Sequence, residues 1–160
     1  MLLSICIPTY NRSKQLDNCL NSILIASKKV NKFDFEVCIS DNNSKYNLSK
    51  ILDKYKDIFK INFNKNNKNL GFAKNFMRAI EISNGEYLMP ICDDSLPMKK
   101  FYIEIINFLK KNEFDELGYV PVNVTAKFKK KLFNINKLAY VVNRGSILSG
   151  AIVKKSNFNP

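Results

Sequence analysis

The sequence predicts an α/β domain built on a mostly parallel sheet with flanking helices. Strand-like and helix-like segments alternate from the first residues onward, the pattern of parallel strands joined by crossover helices. Three polar clusters, residues 8–11, 41–44 and 93–95, each follow an apolar run, and in open α/β sheets ligands bind beyond the carboxyl ends of the strands. If strands one, two and four are neighbours, these clusters line one crevice.

Each element has its own justification. Residues 2–7 are a short apolar strand that runs into the Pro8-Thr9-Tyr10-Asn11 loop; with no basic stretch before it, this start reads as a first strand and not a secretory leader. Ser13 stands where a helix cap is expected, ahead of Leu16, Cys19, Leu20, Ile23 and Leu24 at helical spacing. Residues 33–40 form the second strand, which ends in the polar turn Asp41-Asn42-Asn43-Ser44. A short helix over 48–55 and a weaker strand over 58–63 follow. After an Asn-rich loop over 64–69, Gly71 precedes a helix with Phe72, Phe76, Ala79 and Ile80 on one face, and Asn84-Gly85 is expected to close it in a left-handed cap. Residues 87–92 are the fourth strand, and a helix over 99–111 turns Tyr102, Ile105, Ile106 and Leu109 inward. Beyond it the pattern predicts a strand over 117–125, irregular or hairpin structure over 128–142, a tight loop over 145–150 and a last strand over 151–153. With no internal repeat and no linker, 160 residues make one domain.

Composition narrows the function. No apolar run approaches a membrane span, and the expected location is the cytoplasm. The four cysteines, at 6, 19, 38 and 92, lie inside apolar patterns without a CxxC pair and read as buried free thiols. Histidine is absent, which removes His-based triads and zinc-imidazole sites. A formal charge of +12 invites an anionic partner, but it rests on Lys more than Arg, so it fits diffuse attraction better than nucleic-acid readout. No single-strand readout motif accompanies it, and a basic RNA-binding domain is the weakest of the readings. The densest patch, residues 127–131, suits either acidic phospholipid headgroups, hence peripheral contact at the inner face of the membrane, or a lysine-guarded hairpin edge.

The pair Asp93-Asp94 is the most telling cluster. Two adjacent carboxylates at a strand end, with no Lys or Arg until Lys99, are costly unless a cation shares them. Mg²⁺ or Mn²⁺, completed by substrate phosphates, fits; a helix N-terminus capped by Asp and Ser is the alternative. No GxGxxG or GxxxxGK[ST] loop is present, which argues against a dinucleotide enzyme or a P-loop NTPase.

Taken together, Ser4-Ile5-Cys6-Ile7-Pro8-Thr9-Tyr10-Asn11-Arg12, Phe35-Glu36-Val37-Cys38-Ile39-Ser40-Asp41-Asn42-Asn43-Ser44, Asn69-Leu70-Gly71-Phe72-Ala73-Lys74-Asn75 and Gly85-Glu86-Tyr87 ending in Asp93-Asp94 strongly resemble the family two glycosyltransferases. The resemblance covers residues 2–112 and thins afterwards. It implies the Rossmann-like GT-A nucleotide-diphospho-sugar transferase fold, C-terminally truncated, with a donor-binding part over 1–112 and the start of an acceptor-side part over 113–160. It further implies a metal-dependent, inverting transfer of a sugar from a nucleotide diphosphate to an acceptor hydroxyl, in bacterial surface glycan biosynthesis such as lipooligosaccharide. The acceptor would be a glycan or lipid-linked, with no nucleic acid as partner. By position, Pro8, Thr9, Tyr10 and Asn11 would border the nucleoside and Asp41 with Asn42 would meet the base. Lys74 and Asn75 would lie near the donor and Asp93 near the ribose or sugar, while Asp94, with Asp93, would hold Mn²⁺ or Mg²⁺.

Three departures from the family pattern bear on chemistry. Asn42 replaces a second acid and can both donate and accept, so UDP-, CDP- and dTDP-linked donors all fit. Ser95 replaces a third acid beside the metal pair. No Asp or Glu occurs from Leu117 onward, so the general base that an inverting transfer needs is expected beyond Pro160, while Glu113, Asp115 and Glu116 read as a polar turn. A non-catalytic nucleotide- or glycan-binding fragment is therefore the alternative reading.

Overall fold

The computed structural model describes residues 1–97, 99–111, 118–119 and 151–157. Its sheet contains β1 (Leu3–Thr9), β2 (Phe35–Asp41), β3 (Lys60–Lys65), β4 (Tyr87–Pro90), β5 (Gly118–Tyr119) and β6 (Ala151–Lys154), in the order β3-β2-β1-β4-β6-β5. The first four run parallel; β6 pairs antiparallel with β4, and β5 antiparallel with β6. The chain winds outward from β1 through β2 to β3, then returns to place β4 on the other side of β1. That reversal opens a crevice beyond β1 and β4, the switch point at which such sheets bind ligands.

Side-chain alternation along β1 and β2 explains why helices cover both faces. Leu3, Ile5 and Ile7 with Phe35, Val37 and Ile39 join one cluster, packed with Leu16, Cys19, Leu20 and Ile23 of α1 (Ser13–Ser27) and Tyr102, Ile105, Ile106 and Leu109 of α4 (Phe101–Lys111). Cys6, Cys38 and Leu88 point the other way, against Phe76, Ala79 and Ile80 of α3 (Phe72–Glu81). Each fully buried Ile or Leu contributes about 1.5–3 kcal/mol. The short α2 (Ser49–Leu52) bridges β2 and β3.

The α3-facing side of the sheet is polar at both ends. At its base Glu36, fully buried, accepts hydrogen bonds from Ser4 Oγ (2.7 Å), Asn62 Nδ2 (3.0 Å) and the Asn84 backbone N–H, and pairs with Lys60 at 3.1 Å. Lys155 reaches over the same end to the Ser83 carbonyl.

Three local expectations are corrected. Ser13 does not cap α1: Arg12 holds the cap position, no side-chain cap bond forms, and Ser13 is the first helical residue. Asn84-Gly85 does not end α3 in a left-handed turn; α3 ends at Glu81 before Ile82 (φ −81°), and Gly71 (φ 78°) is the glycine with positive φ among the described residues. Gly85 is small for another reason. A Cβ there would stand 2.6 Å from the Ser4 backbone nitrogen, so only glycine lets this strand entry lie against β1. The fourth strand stops at Pro90, short of Cys92, although the Ile91 N–H still bonds to the Cys6 carbonyl at 3.0 Å. The features expected over 128–142 and 145–150, the basic patch over 127–131, the acids Glu113, Asp115 and Glu116, and all but Gly118–Tyr119 of the strand over 117–125 lie outside the described residues. Among the described residues no helix is long and apolar enough to cross a membrane.

Candidate functional site

The three polar clusters meet. Thr9 lies in register with Asp41 at the end of β1 and β2, and the Asn42 N–H bonds to the Thr9 carbonyl at 2.9 Å. Asn11 (φ 54°) and Asn43 (φ 65°) take the left-handed conformation that Asn tolerates, turning both loops toward each other. The Asn11 N–H donates to Ser44 Oγ at 2.7 Å, and the Lys45 N–H to Asn11 Oδ1 at 2.9 Å. From β4, Asp93 reaches back across the crevice, where Thr9 Oγ1 donates to its Oδ2 at 2.8 Å.

A cavity of about 480 Å³ opens at this junction. Pro8, Thr9, Tyr10 and Arg12 form one wall, Asn42, Asn69, Gly71, Phe72 and Asn75 a second, and Cys92, Asp93 and Asp94 a third. Tyr10 (41% exposed) and Phe72 (44%) present aromatic surface in it, suited to the face of a planar base. Phe72 sits at the start of α3, with its ring centroid 6.1 Å from that of Phe76.

The carboxylates differ in environment. Asp93 is buried, and burial pushes its carboxyl above the ordinary range; the Thr9 hydroxyl and Arg12 oppose this, and Asp94 adds repulsion. Asp94 is 52% exposed at the cavity rim. Arg12 spans both, with Nη1 3.2 Å from Asp93 Oδ1 and Nη2 2.6 Å from Asp94 Oδ2. The cation that the sequence seemed to lack thus comes from the far side of the crevice. Asp41 is fully buried behind the loop: its Oδ1 accepts the Ser44 N–H at 2.9 Å, its Oδ2 has no hydrogen-bond partner among the described residues, and Lys65 Nζ stands 4.0 Å away. Cys92 is half-buried, and burial with the two acids lifts its thiol to about 11, so it stays protonated.

Of the residues singled out in sequence, Pro8, Thr9, Tyr10, Asn42, Asn75, Asp93 and Asp94 line the cavity. Asn42 spends its amide on the loop before α3, donating to Asn69 Oδ1 (2.7 Å) and accepting the Leu70 N–H (2.8 Å). Asn75 is a buried cross-link: Ser40 Oγ and Asn66 Nδ2 both donate to it at 2.8 Å, and it donates to the Thr9 carbonyl at 3.2 Å. Asn11 is taken up by the loop bridge, Asp41 lies behind the cavity, and Lys74 is exposed on α3 away from the lining. Arg12, Asn69, Phe72 and Cys92 line it without having been singled out as site residues. Arg12 could have been found by asking which cation the topology brings to two uncompensated acids.

The family model described as Glycosyl transferase family 2 matches residues 4–148. The chain belongs to this family. It is 36% identical over 112 residues to the abequosyltransferase RfbV of Salmonella typhimurium, a match that covers 65% of this chain and 33% of that protein. The chain therefore spans about a third of that relative's length. Among solved structures, Staphylococcus aureus TarS 1-349 in complex with UDP-GlcNAc superposes with a TM-score of 0.72 at 21% identity, over 98% of this chain and 46% of that one. A mannosyltransferase of Pyrobaculum calidifontis in complex with GDP-Man and Mn²⁺ superposes with a TM-score of 0.65 at 16% identity, over 95% and 44%. The fold is GT-A, with the mostly parallel sheet and flanking helices that the sequence predicted.

Proposed function

We propose that this chain is the donor-binding part of an inverting, metal-dependent glycosyltransferase that moves a sugar from a UDP-, CDP- or dTDP-linked donor to a hydroxyl of a glycan or lipid-linked acceptor. Residues 1–112 would bind the donor and 113–160 begin the acceptor side; the destination would be a bacterial surface glycan. The observation that carries the reading is the pair Asp93 and Asp94 on the wall of the cavity beyond β1 and β4, facing Tyr10 and Phe72. The abequosyltransferase relative supports sugar transfer, and the neighbour bound to UDP-GlcNAc supports a nucleotide-sugar donor.

The residues fit a divalent cation. Asp93 and Asp94 offer hard oxygen donors, and among the described residues no cluster of three or more His, Cys, Asp or Glu adds to them. Mg²⁺ and the similar Mn²⁺ are commonly held by one or two carboxylates plus substrate phosphates. When bound, the ion would act as a Lewis acid that offsets charge building on the departing diphosphate. The chain's own residues do the rest. Thr9 fixes the Asp93 rotamer, Tyr10 and Phe72 flank the base, and Asn75 and Asn42 hold the loops that carry those walls in one geometry. The proton of the acceptor hydroxyl requires a general base in addition to these residues.

Titration calorimetry of UDP, CDP and dTDP with and without Mn²⁺ tests the reading. Mn²⁺ is expected to tighten binding at least tenfold, and Asp94→Ala to abolish that gain; metal-independent binding, or a gain that survives the substitution, refutes it.

A further inference from the structure

Arg12 stands in an unusual place for a surface arginine. It follows Asn11, whose left-handed backbone turns the chain back over the crevice, and it occupies the cap position of α1 without using its side chain to cap the helix. Its guanidinium lies instead against both acids of the crevice, at 3.2 Å from Asp93 and 2.6 Å from Asp94. It is 42% exposed, one wall of the same cavity, so it is held by these two carboxylates and not by packing. Each nitrogen engages a different carboxylate, so the fork spans the position from which one cation would bind both.

Two consequences follow from charge and geometry. A divalent cation shared by Asp93 and Asp94 would sit against the two carboxylates that Arg12 now bridges through Asp93 Oδ1 and Asp94 Oδ2, so the two positive charges compete for them. Once displaced, the guanidinium is a planar, permanently charged fork at the cavity wall, the geometry that grips phosphate oxygens in a bidentate manner. We propose that Arg12 is a built-in counter-ion that offsets part of the charge of the two acids until a divalent cation takes them, and then closes on the diphosphate of the incoming nucleotide. This rests on the reading of Asp93 and Asp94 as cation ligands. Arg12 thereby links cation and nucleotide binding in a fixed order of preference: bare cation is disfavoured, and cation with diphosphate favoured.

The test is a pair of titrations on the 160-residue chain and its Arg12→Gln variant, each first checked by circular dichroism. Mn²⁺ alone is titrated and followed by the electron paramagnetic resonance of free ion; then UDP, CDP and dTDP are titrated at saturating Mn²⁺. Arg12→Gln is expected to tighten bare Mn²⁺ roughly threefold, the scale of one partly exposed ion pair, and to weaken the preferred nucleotide about tenfold, the scale of a charge-assisted hydrogen bond. A general loosening of the site would weaken both, so the opposite signs are the signature. Unchanged or weakened Mn²⁺ binding in the variant overturns the proposal, as does unchanged nucleotide affinity. Arg12→Lys provides a second route: bare Mn²⁺ affinity should stay within about twofold of the parent while the nucleotide still weakens, because the charge remains and the fork is lost. If Mn²⁺ fails to improve nucleotide binding in the parent chain, the glycosyltransferase reading of the site falls; if it does improve it and Arg12→Gln moves both affinities the same way, only the counter-ion proposal falls.

Discussion

Replacing Thr9 by Val removes one hydroxyl and little else, because the two side chains are nearly the same shape. That hydroxyl donates at 2.8 Å to Asp93, and both residues are almost fully buried (3% and 4% exposed). A hydrogen bond to a charged group contributes about 1.5–3 kcal/mol, and removing one partner leaves the buried oxygen unsatisfied. Thr9→Val should therefore cost about 2 kcal/mol at neutral pH. For a domain of this size, that corresponds to a fall of roughly 4–8 °C in Tm.

The pH dependence sharpens the prediction. Burial already raises the Asp93 carboxyl above its ordinary range, and Thr9 is one of the groups that hold it down. A raised carboxyl means that the fold prefers the protonated form, so stability falls as pH climbs through that range. Losing Thr9 enlarges this penalty, so the deficit of Thr9→Val should be largest at pH 7–8 and shrink on acidification. Thermal melts from pH 4 to pH 8 read this directly, and Thr9→Ser, which keeps the hydroxyl, should keep the parent's pH profile. Nucleotide affinity in the presence of Mn²⁺ should fall with Thr9→Val, because an unheld Asp93 presents its oxygens less well. A Thr9→Val chain within about 0.5 kcal/mol of the parent at neutral pH, with an unchanged pH profile, would refute the coupling between the β1 and β4 tips.

Other outcomes are fixed by the far end of the sheet and by backbone geometry. At Glu36, burial raises the carboxyl, but the Asn84 N–H, the Ser4 hydroxyl and Lys60 together outweigh it and leave it lowered. Its stabilisation is thus present above the ordinary glutamate range and lost as pH falls through the lower folded value; Glu36→Gln should flatten the acid limb of the Tm profile while leaving nucleotide affinity intact. Gly85→Ala would drive a methyl to 2.6 Å from the Ser4 backbone nitrogen and 2.8 Å from the Leu3 carbonyl carbon, so it should cost roughly 3 kcal/mol or more in denaturant titrations. Gly71→Ala meets open space, but φ 78° with ψ 167° is a backbone region that essentially only glycine adopts, so the substitution should still cost about 1–3 kcal/mol, all of it backbone strain.

Much of this architecture was legible because its physics is local. The spacing of Leu16, Cys19, Leu20 and Ile23 marks one helix face, and all four residues are buried in α1. The polar clusters after each apolar run marked the loops that meet at the cavity, since a loop at a strand end must satisfy its own backbone. What escaped was non-local. Arg12 precedes Asp93 by more than eighty positions, and only the placement of β4 beside β1 brings them together. Gly85 has the composition of a helix cap, yet its role is set by a contact with β1 that no window of sequence contains. Asn75 sits in a motif whose resemblance implies a place near a donor, but its amide is spent inside the protein, holding the ends of β1 and β2 to α3. A residue type names the bonds a side chain can make; topology decides which partner receives them.

The charge pattern carries the last step. The chain is formally +12, yet its crevice gathers Asp93 on its wall and Asp94 at its rim, with Asp41 buried behind. A site for a diphosphate lined only by carboxylates would repel its ligand, and the one guanidinium between Asp93 and Asp94 offsets only half of their charge. Such an arrangement favours an anionic donor only when a divalent cation joins Arg12, at which point the sign of the rim reverses. On the proposed reading the acids are therefore a gate on affinity: nucleotide alone meets negative potential, cation alone meets competition from Arg12, and the two together meet neither. Measured affinities for cation and diphosphate should accordingly be cooperative to the same factor whichever is added first, as reciprocity of linked binding demands.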